Sequence, residues 1–516
     1  MPDNKRSTRS WFKGLYWLFA LSLCACTVGP DYRGPPSTAT PRWTELAKVP
    51  KQGESPSLPV AEIAVPVRWW TLLRDPLLDS LVTRAIGANL DLRQAEVRVR
   101  EARAQRGVVA SEWLPSINAS SSYSRARISQ NSAVGLLAGA LNGGSTGALT
   151  STKRMTLLGT DINLFQAGFD ALWELDLFGG VRRQVEAAKA EIGAAEEDSR
   201  GVEVSLVAEV ARNYLELRQY QRRLAIARDT LRSEEESLAI AKARYREGVS
   251  SELDAARAEA QVDNTRAQLP KLTTQTLQAQ HRLEVLLAKQ PGSLQKELDV
   301  AQQTAFVPPQ VPIGLPSELL RRRPDIRHAE RQVADTTARI GAATADLFPK
   351  VSLTGMFGLE SISLSNFGSL ASRFYSLGPQ IRWPIFEGGR LLANIRVQEA
   401  RQEESLIAYD KAVLTAFEEV ANALTAYNNE QARRKEIAKA VTANLRALEI
   451  AQAQYRVGAS EYLEVLDAQR TLYADQDGLA QTEASVSENL VALYKALGGG
   501  WEQTETGEAT QSGDER

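Results

Sequence analysis

Histidine and cysteine are nearly absent from this chain, with two of each in 516 residues. No His-Glu-x-x-His helix, nucleophile elbow, Walker A loop or dinucleotide fingerprint occurs. The run Gly143-Gly144-Ser145-Thr146-Gly147 lacks the lysine and following helix of a phosphate loop. His281 lies in a polar helical stretch and reads as a surface residue. An enzyme, a bound metal and a dissociable cofactor are therefore not expected. A dominant charge is also missing. The 61 basic and 63 acidic residues give a net charge of −2, which offers no electrostatic attraction for nucleic acid. The run Arg321-Arg322-Arg323-Pro324-Asp325 does not change this, since Pro324 suits a first helical turn and Asp325 its positive end. The apolar run at 14–23 has 10 residues, half of the roughly 20 that a membrane-crossing helix needs. What remains is 43% hydrophobic and 24% charged, enough to bury a sizeable core and too apolar for global disorder.

The N-terminus reads as a targeting segment. Lys5, Arg6, Arg9 and Lys13 precede the short apolar run, which ends in Leu23-Cys24-Ala25-Cys26. This ending resembles a bacterial lipobox: residues 1–25 would be the lipoprotein signal peptide, and Cys26 the acylated residue. The covalent lipid would be the only attached group, each buried CH₂ contributing about 0.8 kcal/mol to anchoring. With Cys26 acylated, no free thiol is left for a disulfide or a metal. Thr27 follows, in place of an aspartate that would resemble an inner-membrane retention signal.

The chain is internally duplicated. Ala241-Lys-Ala-Arg-Tyr245-Arg-Glu-Gly248 matches Ala451-Gln-Ala-Gln-Tyr455-Arg-Val-Gly458, and Trp173 through Gly180 matches Trp383 through Gly389. Ser111 through Pro115 matches Ala345 through Pro349, so the first half carries a longer insert, which includes the glycine-rich stretch 133–152. The expected organisation is an N-terminal extended segment at 26–75, a first repeat at 76–290, a proline-rich linker at 291–316, a second repeat at 317–500 and a disordered tail at 501–516. Each repeat reads helix, strand, loop, strand, long helix, turn, helix.

Four segments alternate with period two. Phe165, Ala167, Phe169, Ala171, Trp173 and Leu175 oppose Gln166, Gly168, Asp170 and Glu174, with Leu172 the exception. Val351, Leu353, Gly355, Phe357 and Leu359 form a similar set, as do Tyr375, Leu377, Pro379, Ile381, Trp383 and Ile385; the strand after Pro115 is weaker, with Ile117, Ala119 and Tyr123 among polar residues. Such alternation puts one face in an apolar medium, and each run has the length of a tilted membrane strand. Four strands cannot close a barrel, and open edges in lipid leave backbone groups unpaired. If the strands span, two or three copies must assemble.

The helices are too long for a globule. Residues 181–247 contain no proline, and Val210, Leu217, Leu224, Leu231, Leu238 and Tyr245 recur every seven residues. Val420, Tyr427, Val441, Leu448 and Tyr455 echo them, with Arg434 breaking the series. A rod of this length measures on the order of 100 Å. Glycine-marked turns at Gly248 and Gly458 end these helices.

Together these features resemble the TolC-like outer-membrane efflux proteins, in the lipoprotein branch that serves RND-type pumps. The resemblance rests on Cys26-Thr-Val-Gly-Pro-Asp-Tyr32, Leu320-Arg-Arg-Arg-Pro324-Asp325, Trp383-Pro-Ile-Phe-Glu-Gly-Gly389 and Tyr455-Arg-Val-Gly458 with Leu463-Glu464-Val-Leu-Asp467. It implies a mainly α homotrimer in the Gram-negative outer membrane. A 12-stranded β-barrel, four strands per chain, would continue into a 12-helix periplasmic α-barrel. It further implies an exit duct working with an inner-membrane RND-type pump and a periplasmic adaptor. The adaptor would meet the hairpin tips at Tyr245, Arg246, Gly248, Tyr455, Arg456 and Gly458. Acidic rings of a periplasmic gate would fall on Glu464 and Asp467, while Ser460 replaces an arginine that ties the gate shut in some relatives. A coiled-coil lipoprotein serving as adaptor or spacer, and a duct of a type I secretion system, are the alternative readings.

Overall fold

The computed structural model describes residues 27–35, 58–60, 63–127, 161–299 and 310–501. The expected signal segment at 1–25, Cys26, the glycine-rich stretch 133–152 and residues 502–516 lie outside the described residues. The chain divides into two compact units. The first comprises segments within Met1–Arg33, Arg103–Ala190 and Ala334–Glu404, and the second those within Gly34–Ala102, Glu191–Val333 and Ser405–Arg516.

In chain order the elements are β1 Leu58–Val60, α1 Pro76–Ala88, α2 Leu90–Ala110, β2 Ser116–Arg127, β3 Asp161–Leu175, α3 Gly180–Arg246, α4 Glu252–Leu286 and α5 Gln295–Leu298. They continue as β4 Gln310–Pro312, α6 Pro316–Arg322, α7 Pro324–Ala345, β5 Lys350–Ser361, β6 Arg373–Arg382, α8 Arg390–Val457 and α9 Tyr462–Ala496. The duplication is visible in the lengths. The long helices α3 and α8 have 67 and 68 residues, and α4 and α9 have 35 each. At a rise of 1.5 Å per residue, α3 and α8 are each roughly 100 Å long.

The first unit is built on one antiparallel sheet in the order β2-β3-β5-β6. Its register puts Ala119, Phe169, Phe357 and Tyr375 in one row and Ile117, Ala171, Gly355 and Leu377 in another. Since both rows belong to the apolar sets, all four strands turn their apolar residues to the same face. The strand ends are fixed alike in both repeats. The Trp173 indole donates to the Trp113 carbonyl at 2.9 Å, and the Trp383 indole donates to the Leu347 carbonyl at 3.1 Å.

The second unit is helical. Asp75 caps α1, its carboxylate accepting from the Leu77 and Leu78 amides, and Asn89 caps α2 by accepting from the Asp91 and Leu92 amides. The core centres on Trp69, stacked on Tyr494 at 5.2 Å, with Leu73, Leu78 and Leu81 buried around it. Strand β1 pairs in parallel with β4 of the linker. Buried Glu284 accepts from the Gly292 and Leu294 amides and holds the start of that linker. Trp501, assigned from the sequence to the disordered tail, is instead 4% exposed. The Arg200 and Arg327 guanidinium groups lie 5.0 and 5.3 Å from its ring centroid, and its indole donates to the Arg322 carbonyl. Two cations beside one aromatic ring add to that hydrogen bond in holding Trp501 in place.

The heptad seam needs a correction. Val210, Leu217 and Leu224 are buried, but Leu231 and Leu238 are only partly so and Tyr245 is exposed. Ala227, Glu234 and Ala241 take over the buried line. A 3.6-residue helix drifts about 20° per heptad against a 7-residue repeat, so over five heptads the inward face passes to the next row.

Candidate functional site: a lipid-facing sheet and two helical turns

The sheet face is the first candidate. Ile117, Tyr123, Phe169, Phe357, Tyr375, Leu377 and Ile381 are all at least half exposed. In water this many aligned apolar side chains would be a large exposed patch, which marks an interaction or membrane surface. The opposite face carries Asn118, Asp170, Glu174, Ser352, Thr354 and Gln380, and Asn118 donates to Asp170 at 3.0 Å. Within this sheet β2 and β6 each have one partner, so one edge of each is open.

The two helical turns are the second candidate. Gly248 and Gly458 have φ of +74° and +78°, a left-handed conformation that favours glycine. Each closes α3 or α8 by the same backbone pattern: the Val249 amide donates to the Arg244 carbonyl and the Ala459 amide to the Gln454 carbonyl. Ser251 and Glu461 occupy the following cap positions, yet neither side chain makes the capping bond. The Asp254 and Glu464 amides instead bond the backbone carbonyls of Ser251 and Glu461.

Of the expected adaptor-facing residues, Tyr245, Arg246, Gly248, Arg456 and Gly458 are exposed. Tyr455 is not. It is 5% exposed, packed edge-on against Tyr462 at 5.4 Å in a cluster with Ala241, Ala258, Ala451, Val465 and Leu466. The correction follows from the seam: in the second repeat position 455 stays on the inward row, whereas in the first Tyr245 has drifted off it. Burial pushes the Tyr462 phenol up to about 12, with the nearby Glu234 charge adding to the effect. Glu464 and Asp467 are exposed, three residues apart on the first turns of α9, and so share a face.

Arg244 was not anticipated. Its guanidinium lies 4.6 Å over the Tyr455 ring and donates to the Tyr455 carbonyl, joining the first turn to the second. Its signal in the sequence was a break in the repeat, because the matching position in the second half is Gln454. Further along the hairpins, Arg223 pairs with Asp477 at 2.6 Å, Gln469 donates to Ser237 at 2.9 Å, and Arg470 donates to Gln261 at 2.7 Å. Gln261 in turn donates to buried Glu234 at 2.8 Å.

A four-stranded sheet with one apolar face and two long helical hairpins closed at glycine turns are features that known proteins share. The chain matches the family described as outer membrane efflux protein over residues 81–289 and 315–499. It is 33% identical to outer membrane protein OprJ of Pseudomonas aeruginosa over 94% of this chain and 95% of that protein. It is 34% identical to the toluene efflux pump outer membrane protein TtgI of Pseudomonas putida, over 95% of this chain and 98% of that one. The solved outer-membrane channel OprN superposes with a TM-score of 0.79 at 36% identity, covering 92% of this chain and all of that one. Because the match spans both repeats, the reading as a one-hairpin adaptor or spacer is set aside. The chain belongs to the outer membrane efflux protein family: it is a passive outer-membrane channel for efflux, and not an enzyme.

Proposed function

We propose that three copies of this chain assemble into the exit duct of a tripartite efflux system. The sheets would close as one 12-stranded barrel, and the hairpin tips would meet a periplasmic adaptor that links the duct to an inner-membrane RND-type pump. The observation that carries this is the sheet: four strands with one shared apolar face and an open edge at each side. Open edges are costly in lipid, and closing them requires further copies. Cys26 is the acylated residue in this reading and adds a lipid anchor to the barrel.

Glu464 and Asp467 form the acidic rings. Threefold symmetry brings three copies of each exposed carboxylate toward one axis, where they attract cations and repel one another. The supporting observation is their shared face beside the turn, with no ion pair to either side chain among the described residues. Single-channel recording tests it on purified wild type beside Glu464→Gln/Asp467→Asn. The expected result is small cation-preferring channels whose preference falls in the double variant. Unchanged selectivity would discard these two residues and keep the duct.

A further inference from the structure

Arg183, near the start of α3, has a side chain only 5% exposed, and its guanidinium is spent on the first residues of the described chain. It donates to the carbonyls of Val28 at 3.3 Å and Gly29 at 3.4 Å and to Asp31 Oδ1 at 2.7 Å, and on its other side to Glu186 at 2.8 Å. The Val28 amide donates to the Phe178 carbonyl at 3.2 Å. Glycines line the contact. A Cβ on Gly29, whose φ is +91°, would lie 2.4 Å from the Gly341 Cα. A Cβ on Gly341 would lie 2.8 Å from the Arg183 Cγ, and one on Gly179 would lie 2.5 Å from the Thr27 Cγ2. Residues from both repeats thus close around 27–31, a stretch with no helix or strand of its own. Terminal segments of that kind are ordered only where something ties them down.

The duplication supplies an internal control. At a shift of 209, Gly179, Gly180 and Arg183 correspond to Gly388, Gly389 and Leu392, and at a shift of 234, Gly341 corresponds to Gly107. A Cβ on Gly107, Gly388 or Gly389 would meet nothing within 4 Å, and Leu392 is 56% exposed. The glycines recur in both repeats. The buried arginine and the segment seated on it occur in one.

We propose that Arg183, Gly179 and Gly341 form a seat for residues 27–31, and that the seat fixes where the acyl chains of Cys26 enter the membrane. The second half of this proposal rests on the lipoprotein reading; the first does not. Thr27 touches Gly179, which lies between the end of β3 at Leu175 and the start of α3 at Gly180. Thr27 is thus held where the lipid-facing strand gives way to helix, and acyl chains on the residue before it would enter the membrane from there. Acyl chains alone would tether the N-terminus to the leaflet and leave its position around the barrel free. A planar guanidinium gripping two carbonyls and a carboxylate removes that freedom.

Amide hydrogen exchange over residues 27–35 of the detergent-extracted protein tests the seat. The samples are wild type, Arg183→Ala, Gly29→Val, Leu392→Ala, and a Cys26→Ser chain exported behind an ordinary cleavable signal. Gly29→Val keeps the test open if Arg183→Ala fails to fold, because it alters only the seated segment. The expected pattern is protection in wild type, Leu392→Ala and Cys26→Ser, with exchange faster by about tenfold or more in Arg183→Ala and Gly29→Val. Free exchange in wild type, unchanged protection in both seat variants, or loss of protection in Cys26→Ser would overturn the seat. Mass spectrometry of the N-terminal peptide reads acylation separately. An unmodified Cys26 would overturn the membrane entry point and the lipoprotein reading, while the exchange pattern still decides the seat.

Discussion

Arg323 is 7% exposed and meets three acceptors: Asp325 at 2.7 Å, Glu419 at 2.6 Å and the Ala496 carbonyl at 2.8 Å. It ties the start of α7 to α8 and to the end of α9. Arg323 is buried but its two carboxylate partners are half exposed, so Arg323→Ala leaves them to water, loses hydrogen bonds to both and to the Ala496 carbonyl, and is expected to cost about 1–2 kcal/mol. Arg323→Lys should recover little of this, because a single ammonium cannot fork to the same acceptors. Denaturant unfolding of both variants checks the pair. Glu234 makes the opposite kind of prediction. It is 1% exposed, and burial pushes its carboxyl above the usual range despite hydrogen bonds from Thr265 and Gln261 and the Arg470 charge. A carboxyl with a raised folded-state pKa contributes most in acid, and that contribution is lost as pH rises from its unfolded value through its folded one. Stability should therefore fall over that window, and Glu234→Gln should flatten the fall and unfold at higher temperature at neutral pH. Thermal melts at pH 4 and pH 7.5 measure both. At the tips, Arg244→Ala removes a cation–π contact of about 0.5–2 kcal/mol between the two turns. Spontaneous channel openings in bilayers should become several-fold more frequent, and an unchanged opening rate would show that Arg244 holds nothing shut.

Among the elements, the strands were the most legible. Alternation in residues 165–175 and 351–359 gave β3 and β5 and their apolar face, and the register then aligned that face across the sheet. The weakest pattern, after Pro115, is still a strand of 12 residues, held by its partner β3 rather than by its own composition. The long helices were legible from absent proline and their turns from glycine. Which heptad row stays buried was not, because the drift of a straight helix depends on what packs against it. The C-terminal boundary was missed for a similar reason. Trp501 lies next to a polar tail in sequence, and only the fold brings Arg200 and Arg327 to its ring. Arg183 escaped notice because three of its four partners, two of them backbone carbonyls, lie about 150 positions earlier, which no pattern encodes. The paired tryptophans at the strand ends give a test at this scale. Trp173→Phe and Trp383→Phe each remove one hydrogen bond worth about 1 kcal/mol, so each should lower the heat-dissociation temperature modestly and the double variant about additively. Semi-denaturing electrophoresis across a temperature series reads this.

At the scale of the whole molecule, closure of the sheet is the governing requirement. A sheet with a continuous apolar face is stable in lipid only when no edge remains, and one chain supplies four of the strands. The acidic rings and adaptor contact proposed above, and the conducting path, all presuppose that several chains share one axis. Native mass spectrometry of the detergent-extracted protein tests this most directly. The account predicts a single species of three mature chains that dissociates to monomer only on heating. A stable monomer, or a dimer as the largest species, would contradict it.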